Sequence, residues 1–535
     1  MVYHSKGDLG LEEEAMFRRL VACLVLVGGA SCAFRAHGAE IYVDPLGSLR
    51  TLTAAIDSAA AGDTLVLAHD TYFENPLIRD KDLLIRSAAG GRAILDGGPG
   101  AGGGDAGSVI RAVRSFVTLE NVVIQNGKPL PVGAGVMLFG GHLTLRNVRL
   151  EGNSYGVLSV QDGSVPGTMD VADCEIIGNG FGIDGLVSTR IVRSRFEGND
   201  FALRLQGAVR LIDVQIVNNG GALIAQTGGA ILTAAFGRLE RVVVRGNRSA
   251  FQFAGLRLKR GPFEVIDCDI SDNVSDGGPG GLACVGVEAV LTNVTITNNR
   301  SRGPAQAVGG LLVDNRSDVA AFNCTIEGNS SEERGGGVSV QRESTARFQN
   351  CRILGNATLQ KGGGVYVLQS VAQLEATVVA GNRAVGGGGV SVESGELNLI
   401  SCTVVGNVAN GGGGVLYNQG TGRIERSIVA FNAGTPGMFC GGGQVTTACT
   451  NVFGNGLDGI CGSDLGGNRS VDPGFCEFDP QRASFDVRLQ ENSPMIDPAG
   501  CGLIGALGPG CGPTGVRAIS WGDLKGLYGT GTLRR

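Results

Sequence analysis

An asparagine that recurs about every 25 residues through the middle of the chain constrains the fold more than any other feature. It stands at Asn126, Asn153, Asn179, Asn199, Asn219, Asn247, Asn273, Asn299, Asn329, Asn356, Asn382, Asn407 and Asn432. The residue three positions before each of these asparagines is apolar, and a glycine run that enters a short β-branched segment often follows, as in 335–340 and 362–367. Self-similarity at such a period indicates one repeat architecture rather than several separate domains.

The apolar positions within each repeat alternate with polar ones, which predicts short strands, and no helical stripe accompanies them. A period near 25 is too short for a propeller blade of about 40 residues. The isoleucine and valine columns also do not match the leucine spacing of a leucine-rich repeat. One coil of a parallel β-helix fits, with three short strands per coil and coils stacked about 4.8 Å apart. The sequence therefore predicts an all-β parallel solenoid.

Two polar columns accompany the repeat. Asn or Asp stands six positions before seven of the recurring asparagines, at Asn147, Asp173, Asp213, Asp267, Asn293, Asn323 and Asn350. Stacked side chains of this kind bond to turn backbone or to the neighbouring coil, so we interpret both columns as turn ladders. A ladder for calcium or sugar is the alternative interpretation.

Cysteine occupies the position five residues before five of the asparagines, where other repeats carry valine. These are Cys174, Cys268, Cys324, Cys351 and Cys402. A column shared by small apolar residues predicts buried, free thiols. Only Cys324 and Cys351 lie one coil apart, within reach of a disulfide.

Composition limits the partners. The chain has 44 basic and 50 acidic residues, a net charge of −6. A nucleic-acid partner would need a basic stripe, which the sequence does not suggest, and we expect no broad positive field for a highly anionic polysaccharide either. The 91 glycines mark turns and strand entries of the repeat rather than a flexible linker.

The first residues are typical of a signal peptide. A basic pair, Arg18 and Arg19, precedes the apolar run 20–30, and small residues precede Glu40. We predict translation from Met16, a mature chain from about Glu40, and a secreted or cell-surface location, with a lipoprotein ending at Cys32 as the lesser alternative. An apolar run of about 11 residues is too short to cross a membrane, and we expect no integral membrane segment.

Six cysteines crowd the C-terminal part, which in an exported chain predicts disulfides. They are Cys440, Cys449, Cys461, Cys476, Cys501 and Cys511. By proximity in sequence we favour the pairs Cys440–Cys449, Cys461–Cys476 and Cys501–Cys511. Metal binding is the alternative, but no histidine lies nearby.

The N-terminal segments 42–45, 54–56, 60–65 and 71–72, together with the downstream repeat units, resemble right-handed parallel β-helix proteins of the pectate-lyase-like superfamily. The resemblance covers about 40–432 and implies the fold rather than an activity, because that superfamily includes lyases, hydrolases, epimerases, esterases and non-catalytic proteins. The predicted organisation is a leader at 1–39, an N-terminal cap with the first coils at 40–105, β-helix repeats at 106–433, a disulfide-containing C-terminal cap at 434–512 and a tail at 513–535.

Two aspartate pairs are the candidates for catalysis, Asp170 with Asp184 and Asp269 with Asp272. Lyases of this fold hold a cation with clustered carboxylates, and hydrolases place two carboxylates on neighbouring coils. Of the four histidines, only His69 and His142 lie beyond the leader, which argues against a zinc site or a Ser-His-Asp triad.

These observations favour an exported, non-catalytic binding or structural protein, with a polysaccharide or cell-surface glycan as the candidate partner and no cofactor. The alternative is a polysaccharide lyase or glycoside hydrolase acting on an acidic polysaccharide, with calcium if it is a lyase. An autotransporter-type passenger is a third hypothesis. The tail around Trp521 is interpreted either as a sorting tag or as a strip packed on the cap.

Overall fold

The computed structural model describes residues 38–512 apart from 99–106, 129–132, 162, 164–165, 221–227, 304–306, 435, 479–484 and 499. Residues 1–37 of the predicted leader and the whole predicted tail lie outside the described residues. The domain boundaries therefore stay a prediction.

The chain winds into coils whose equivalent strands pair in parallel, which confirms the predicted all-β parallel solenoid. Three columns of strands run along it. The first column contains Leu77–Arg79, Tyr155–Val160, Phe181–Gly185, Leu256–Lys259, Leu282–Val285, Leu311–Asp314, Val338–Gln341, Val365–Leu368, Val390–Glu393, Val415–Asn418 and Met438–Gly441. The second contains Glu40–Val43, Thr64–Leu67, Asp82–Ser87, Gly167–Ala172, Ser188–Val192, Pro262–Ile266, Glu288–Thr292, Asp318–Phe322, Thr345–Gln349, Val371–Glu375, Glu396–Ile400, Thr421–Glu425, Gln444–Ala448 and Ser463–Asp464.

Four long strands pass through both of these columns and join them into one sheet of 29 strands. They are Ile110–Glu120, Ala134–Arg146, Phe201–Ile212 and Ala230–Glu240. In these coils the chain turns from the first column to the second without leaving the sheet, so no loop separates the two columns there.

The third column is a separate sheet of 16 strands. It contains Thr71–Tyr72, Ala93–Asp96, Val122–Gln125, Arg149–Glu151, Glu175–Ile177, Arg195–Glu197, Gln215–Val217, Val243–Arg245, Asp269–Ser271, Thr295–Thr297, Thr325–Glu327, Arg352–Leu354, Val378–Ala380, Thr403–Val405, Ile428–Ala430 and Asn451–Phe453. Five short strands follow it in the central coils, Arg248–Ser249, Val274–Ser275, Arg300–Ser301, Ser330–Ser331 and Ala357–Thr358.

A single left-handed residue makes the corner between the second and third columns. The seven Asn and Asp residues of the column six positions before the asparagines all lie there, with φ between 52° and 57°. Asn and Asp tolerate this conformation better than other residues with a side chain. The column is therefore a turn column, as predicted.

Glycine allows close approach of successive coils at the entry to the first column. A Cβ on Gly363 would lie 2.5 Å from the backbone oxygen of Gly388 in the next coil. Gly411, by contrast, has open space where its Cβ would be. The glycine run is therefore required at some positions and incidental at others.

The predicted cysteine column lies in the core. Cys174, Cys268, Cys324, Cys351 and Cys402 are buried and free, which confirms the prediction, and Cys284 is a sixth buried thiol. Burial raises the pKa of both Cys174 and Cys402 to about 12, so their thiols stay protonated.

A polar cluster fastens the outer face of the first column across three coils. The hydroxyl of Tyr366 donates to the carboxylate of Glu393, which also accepts from the ammonium of Lys361, and Arg334 Nη1 donates to the same hydroxyl at 3.1 Å. Burial raises the pKa of Glu393, but the bonds from Lys361 and Tyr366 outweigh it and hold the pKa below its usual 4.5. The cluster is satisfied internally.

The N-terminal end contains α1, Leu52–Ser58, whose cap residue Thr51 accepts a hydrogen bond from the backbone of Ala54 at 3.2 Å. Leu52, Ala55 and Ile56 are the buried residues of this helix and join the main core.

The C-terminal part carries three disulfides, as predicted, but all three predicted pairings are wrong. The bonds are Cys440–Cys461, Cys449–Cys501 and Cys476–Cys511. Residues about one coil apart in sequence stack on each other in a solenoid, which joins the first pair across a separation of 21 residues. The other two pairs follow from the chain folding back, which proximity in sequence cannot show.

The returning segment packs on the side of the last coils. Its sheet consists of Phe475–Phe478, Phe485–Gln490 and Pro509–Cys511. The outward-facing Val378, Val405 and Ile428 of the third column form a second core with Met495 and Ile504. This segment therefore covers an apolar flank, while Ile460 packs against the main core near its C-terminal end.

Candidate functional site

The asparagine ladder is internal structure. Each member from Asn153 onward is buried, and its side-chain oxygen accepts from the backbone and side-chain nitrogens of the member one coil before. For Asn153, the first of them, the donor is the backbone nitrogen of Gly127. Asn126 leaves the ladder and bonds to Asp96, whereas Asn455, which the repeat pattern missed, extends it. The turn-ladder interpretation is confirmed, because buried and fully bonded amides have no capacity for calcium or sugar.

The pair Asp269 and Asp272 lies at such a turn. Asp272 has φ 56° and forms the corner itself, and Asp269 accepts a hydrogen bond from Ser271 Oγ at 3.1 Å. In the strand register, Val243 and Thr295 flank Asp269. The structure therefore places no second carboxylate beside Asp269 in the adjacent strands.

Asp184 is buried on the first column and held by one cation. Arg204 of the next coil binds it with both ends of its guanidinium, Nε lying 2.7 Å from Oδ1, and also lies 5.3 Å from the centre of the Phe181 ring. Phe181 stacks between Tyr155 and Phe201, with ring centres 4.8 and 5.3 Å apart. A shallow cavity of about 210 Å³ borders the ion pair.

Asp170 lies on the second column, beside His142. Its carboxylate is 3.6 Å from Nε2 of the imidazole, which also lies 2.9 Å from Thr144 Oγ1, while Nδ1 lies 2.7 Å from Thr168 Oγ1. Burial lowers the pKa of His142, and the negative charge of Asp170 opposes this shift. Asp170 and Asp184 have different strand partners, so the structure does not make them a pair across coils.

Asp170 belongs to an open face of the second column that we call the arginine face. Two outward rows of in-register residues form it. One row is Phe116, His142, Thr168, Ser188, Ala208 and Phe236, and the other is Thr118, Thr144, Asp170, Arg190, Arg210 and Arg238. Six coils at the usual strand spacing give a face about 24 Å long.

Two cations of this face lie side by side, and Asp170 is in register with Arg190 on the other side. Arg190 and Arg210 are in register, and neither forms an ion pair with any residue in the described part of the chain. Arg238 is held by Glu264 at 2.8 Å. Like charges side by side on a sheet repel each other unless an anion lies between them.

The arginine face belongs to a strongly basic stretch. Between residues 190 and 260 there are 12 basic and 4 acidic residues, in a chain whose net charge is −6. The basic ones are Arg190, Arg193, Arg195, Arg204, Arg210, Arg238, Arg241, Arg245, Arg248, Arg257, Lys259 and Arg260. Three of these arginines, Arg193, Arg204 and Arg241, form ion pairs with aspartates, so the expectation of no broad positive field stays a prediction. A running count of charge along the sequence would have found this stretch, which the whole-chain balance hides.

Exposed aromatic rings stand at both ends of the arginine face. Phe116 is 57% exposed, with its ring centre 6.2 Å from that of His142, and Phe236 is 43% exposed. Aromatic rings, hydroxyls and guanidinium groups are the side chains that can contact the apolar faces, hydroxyls and carboxylates of sugars. In the described ranges no group of three or more His, Cys, Asp or Glu side chains could hold a metal ion.

Comparison with known proteins supports the fold. A family model for the right handed beta helix region matches residues 179–382 and 309–472, together more than half of the chain. This match confirms the right-handed parallel β-helix that the resemblance to the pectate-lyase-like superfamily implies. A search of the curated proteins finds no match.

Several solved structures are similar to this chain at low identity. The periplasmic alginate epimerase AlgG is 13% identical, with 75% of this chain and 76% of that chain covered, at a TM-score of 0.31. The pectate lyase Pel9A is 11% identical, with 89% and 97% covered, at 0.24. The Dettilon tailspike protein is 14% identical, with 81% and 69% covered, at 0.29. Similarities this low say nothing about the activity of this chain. Among the described residues no helix is long and apolar enough to cross a membrane.

Proposed function

Because this chain belongs to the right-handed β-helix family, we propose that it is an exported protein that binds an acidic polysaccharide along its arginine face. The observation that carries the proposal is the in-register pair Arg190 and Arg210, two outward cations that form no ion pair with the residues that the structure describes. An acidic polysaccharide presents carboxylates at intervals along a chain, and two guanidinium groups on successive coils can each bind one of them.

The surroundings of the two arginines support a sugar ligand. Thr168 and Ser188 offer hydroxyls in the adjacent row, and Phe116 and Phe236 offer exposed rings at the ends. The basic stretch 190–260 adds a long-range field that attracts an anionic polymer.

Export rests on two independent features. The sequence predicts a leader that ends before Glu40, and three disulfides staple the C-terminal part. Disulfides persist in oxidising compartments and are rare in the cytosol. Both features support the proposal that the protein is exported to the periplasm, the cell surface or the medium.

The test compares binding of the purified protein to polygalacturonate, alginate and an uncharged glucan by calorimetry. We expect binding to the acidic polymers that weakens with salt. The double variant R190A/R210A should bind about tenfold more weakly, since each exposed charge pair contributes up to about 1 kcal/mol and a factor of ten corresponds to about 1.4 kcal/mol. The control R300A/R352A removes two exposed cations that lie outside the basic stretch and should keep most of the affinity. Equal affinities for wild type and R190A/R210A would refute the proposal.

A lyase is the second candidate, and one observation favours it. His142 is held neutral by burial, at the end of the arginine face that carries Asp170. A neutral imidazole can accept the proton that β-elimination removes next to a uronate carboxylate, while Arg190 would neutralise that carboxylate. An unsaturated sugar product that absorbs ultraviolet light, formed by the wild type and not by H142A, would support this activity. Binding without any product supports the binding protein instead.

A further inference from the structure

Three cations lie together on the outer side of the first column. Strand Leu256–Lys259 sends Arg257 and Lys259 outward, and Arg260 follows at the corner with φ 64°. We call these three residues the cationic triplet. They lie on a different column from the arginine face, so this site stands independently of the proposed function.

The charges of the cationic triplet are not balanced by ion pairs within the described part of the chain. Among the residues that the structure describes, none of the three forms an ion pair. In the adjacent strands Ile231 and Ala283 flank Arg257, while Thr233 and Val285 flank Lys259. Arg257 and Lys259 therefore lie beside apolar and neutral side chains on both neighbouring coils.

The closest interaction with an acid is indirect. Asp314, two coils further on, acts on Arg257 only through its charge. Its carboxylate is buried and is bound by both ends of the Arg342 guanidinium. That carboxylate is therefore committed to another cation and cannot close on the triplet.

Packing holds one member in place. The guanidinium of Arg257 lies 4.1 Å from the centre of the buried Phe253 ring, and its Nε is buried without a hydrogen-bond partner. A stacked guanidinium loses little conformational freedom when it binds an anion. Burial lowers the pKa of Lys259, and the charges of Arg257 and Arg260 lower it further. The three charges thus repel one another in the free protein.

We propose that the cationic triplet is a binding site for a doubly charged tetrahedral oxyanion, a free phosphate or sulfate or a phosphomonoester on a sugar. Three cations within four residues of the chain match one compact dianion better than carboxylates spaced along a polymer. Binding removes the mutual repulsion of Arg257, Lys259 and Arg260, and the guanidinium groups supply directed donors for the oxygens.

The experiment is calorimetric titration of the full chain with inorganic phosphate, sulfate, glucose 6-phosphate and, as a negative control, chloride. We expect saturable binding of the dianions. K259Q and R260Q, which leave the packing of Arg257 on Phe253 intact, should each weaken phosphate binding about tenfold. R190A/R210A should leave it unchanged, which separates this site from the arginine face.

A second readout is the titration of Lys259 followed by NMR. Phosphate should raise the pKa of Lys259, because a bound dianion favours the charged amine. Tighter binding of glucose 6-phosphate than of phosphate identifies a phosphomonoester as the ligand, and equal or weaker binding identifies the free oxyanion. The inference is wrong if phosphate does not bind, or if K259Q and R260Q bind it as tightly as the wild type.

Discussion

Removing one asparagine of the ladder should greatly lower the local stability of the coils around it. Asn299 is fully buried and makes four side-chain hydrogen bonds. Its Oδ1 accepts from the backbone nitrogen and Nδ2 of Asn273, at 3.1 and 2.9 Å. Its Nδ2 donates to the oxygen of Ile270 at 2.8 Å and to Oδ1 of Asn329 at 3.0 Å. At about 1 kcal/mol net for each bond, N299A should cost about 4 kcal/mol.

The chain supplies a matched control in the preceding residue. Asn298 is exposed and has φ 54°, so N298G keeps the left-handed conformation and removes an amide that faces solvent. We expect N298G to change stability by less than about 1 kcal/mol. N299D tests the donor separately, because a carboxylate keeps the shape of the amide but cannot donate to Ile270. It should be at least as destabilised as N299A near neutral pH.

Hydrogen exchange is the appropriate assay, because coils of a solenoid can open locally and a single unfolding midpoint would average over them. A loss of about 4 kcal/mol corresponds to roughly 10³-fold faster exchange in the coils on either side of Asn299. Distant coils should be unaffected. If N299A lowers protection no more than N298G does, the hydrogen bonds of the ladder do not stabilise the coils and the reasoning fails.

Three further predictions concern the rest of the solenoid. G363A should cost about 1–3 kcal/mol by thermal denaturation, because its Cβ would meet the next coil at 2.5 Å, whereas G411A, with open space, should be neutral. C449S/C501S should make the C-terminal segment sensitive to proteases, since a closed loop of 52 residues contributes about 4 kcal/mol, while the first coils stay resistant. Because the pKa of Glu393 is lowered, the stabilisation that its ionised carboxylate provides is complete above pH 4.5 and is lost as the pH falls through that lower pKa. In an acid titration of the free energy of unfolding, E393Q should therefore lose less stability than the wild type.

The fold could be predicted from the sequence because every coil of a solenoid has nearly the same local structure. The same physical demand recurs in every coil, so the buried asparagines, the left-handed Asn and Asp corners and the cysteine column all appear as regular spacings. Asn126 and Asn455 were misjudged at the ends of the ladder, where a coil lacks one neighbour and the pattern weakens. The disulfide pairings failed for a related reason. The segment after Asn455 leaves the repeat and folds back to pack against Val405 and Ile428. This contact does not recur from coil to coil, so no spacing in the sequence indicates it.

Only part of the candidate site could be predicted from the sequence. Asp170 and Asp184 were found as acids, but their roles depend on partners in other coils, His142 for one and Arg204 for the other. Spacing in sequence cannot identify such partners where coil length varies. The ladder steps by 20 residues from Asn179 to Asn199 and by 28 from Asn219 to Asn247. The register between the strands of neighbouring coils must therefore be known before it is clear which charged side chains lie side by side.

The same variation in coil length explains why the open face lies where it does. Arg190 and Arg210 are 20 residues apart, and so are the ladder rungs beside them, which makes these coils the shortest of the ladder. A coil of 20 residues has most of its chain in strands and little left for loops that could cover a sheet. An insertion between the columns of these coils, lengthening one to the usual 26 or so, would leave the ladder and core intact but shield Arg190. We expect such a variant to lose polysaccharide binding while keeping its stability, a separation that a purely structural role for the arginines would not produce.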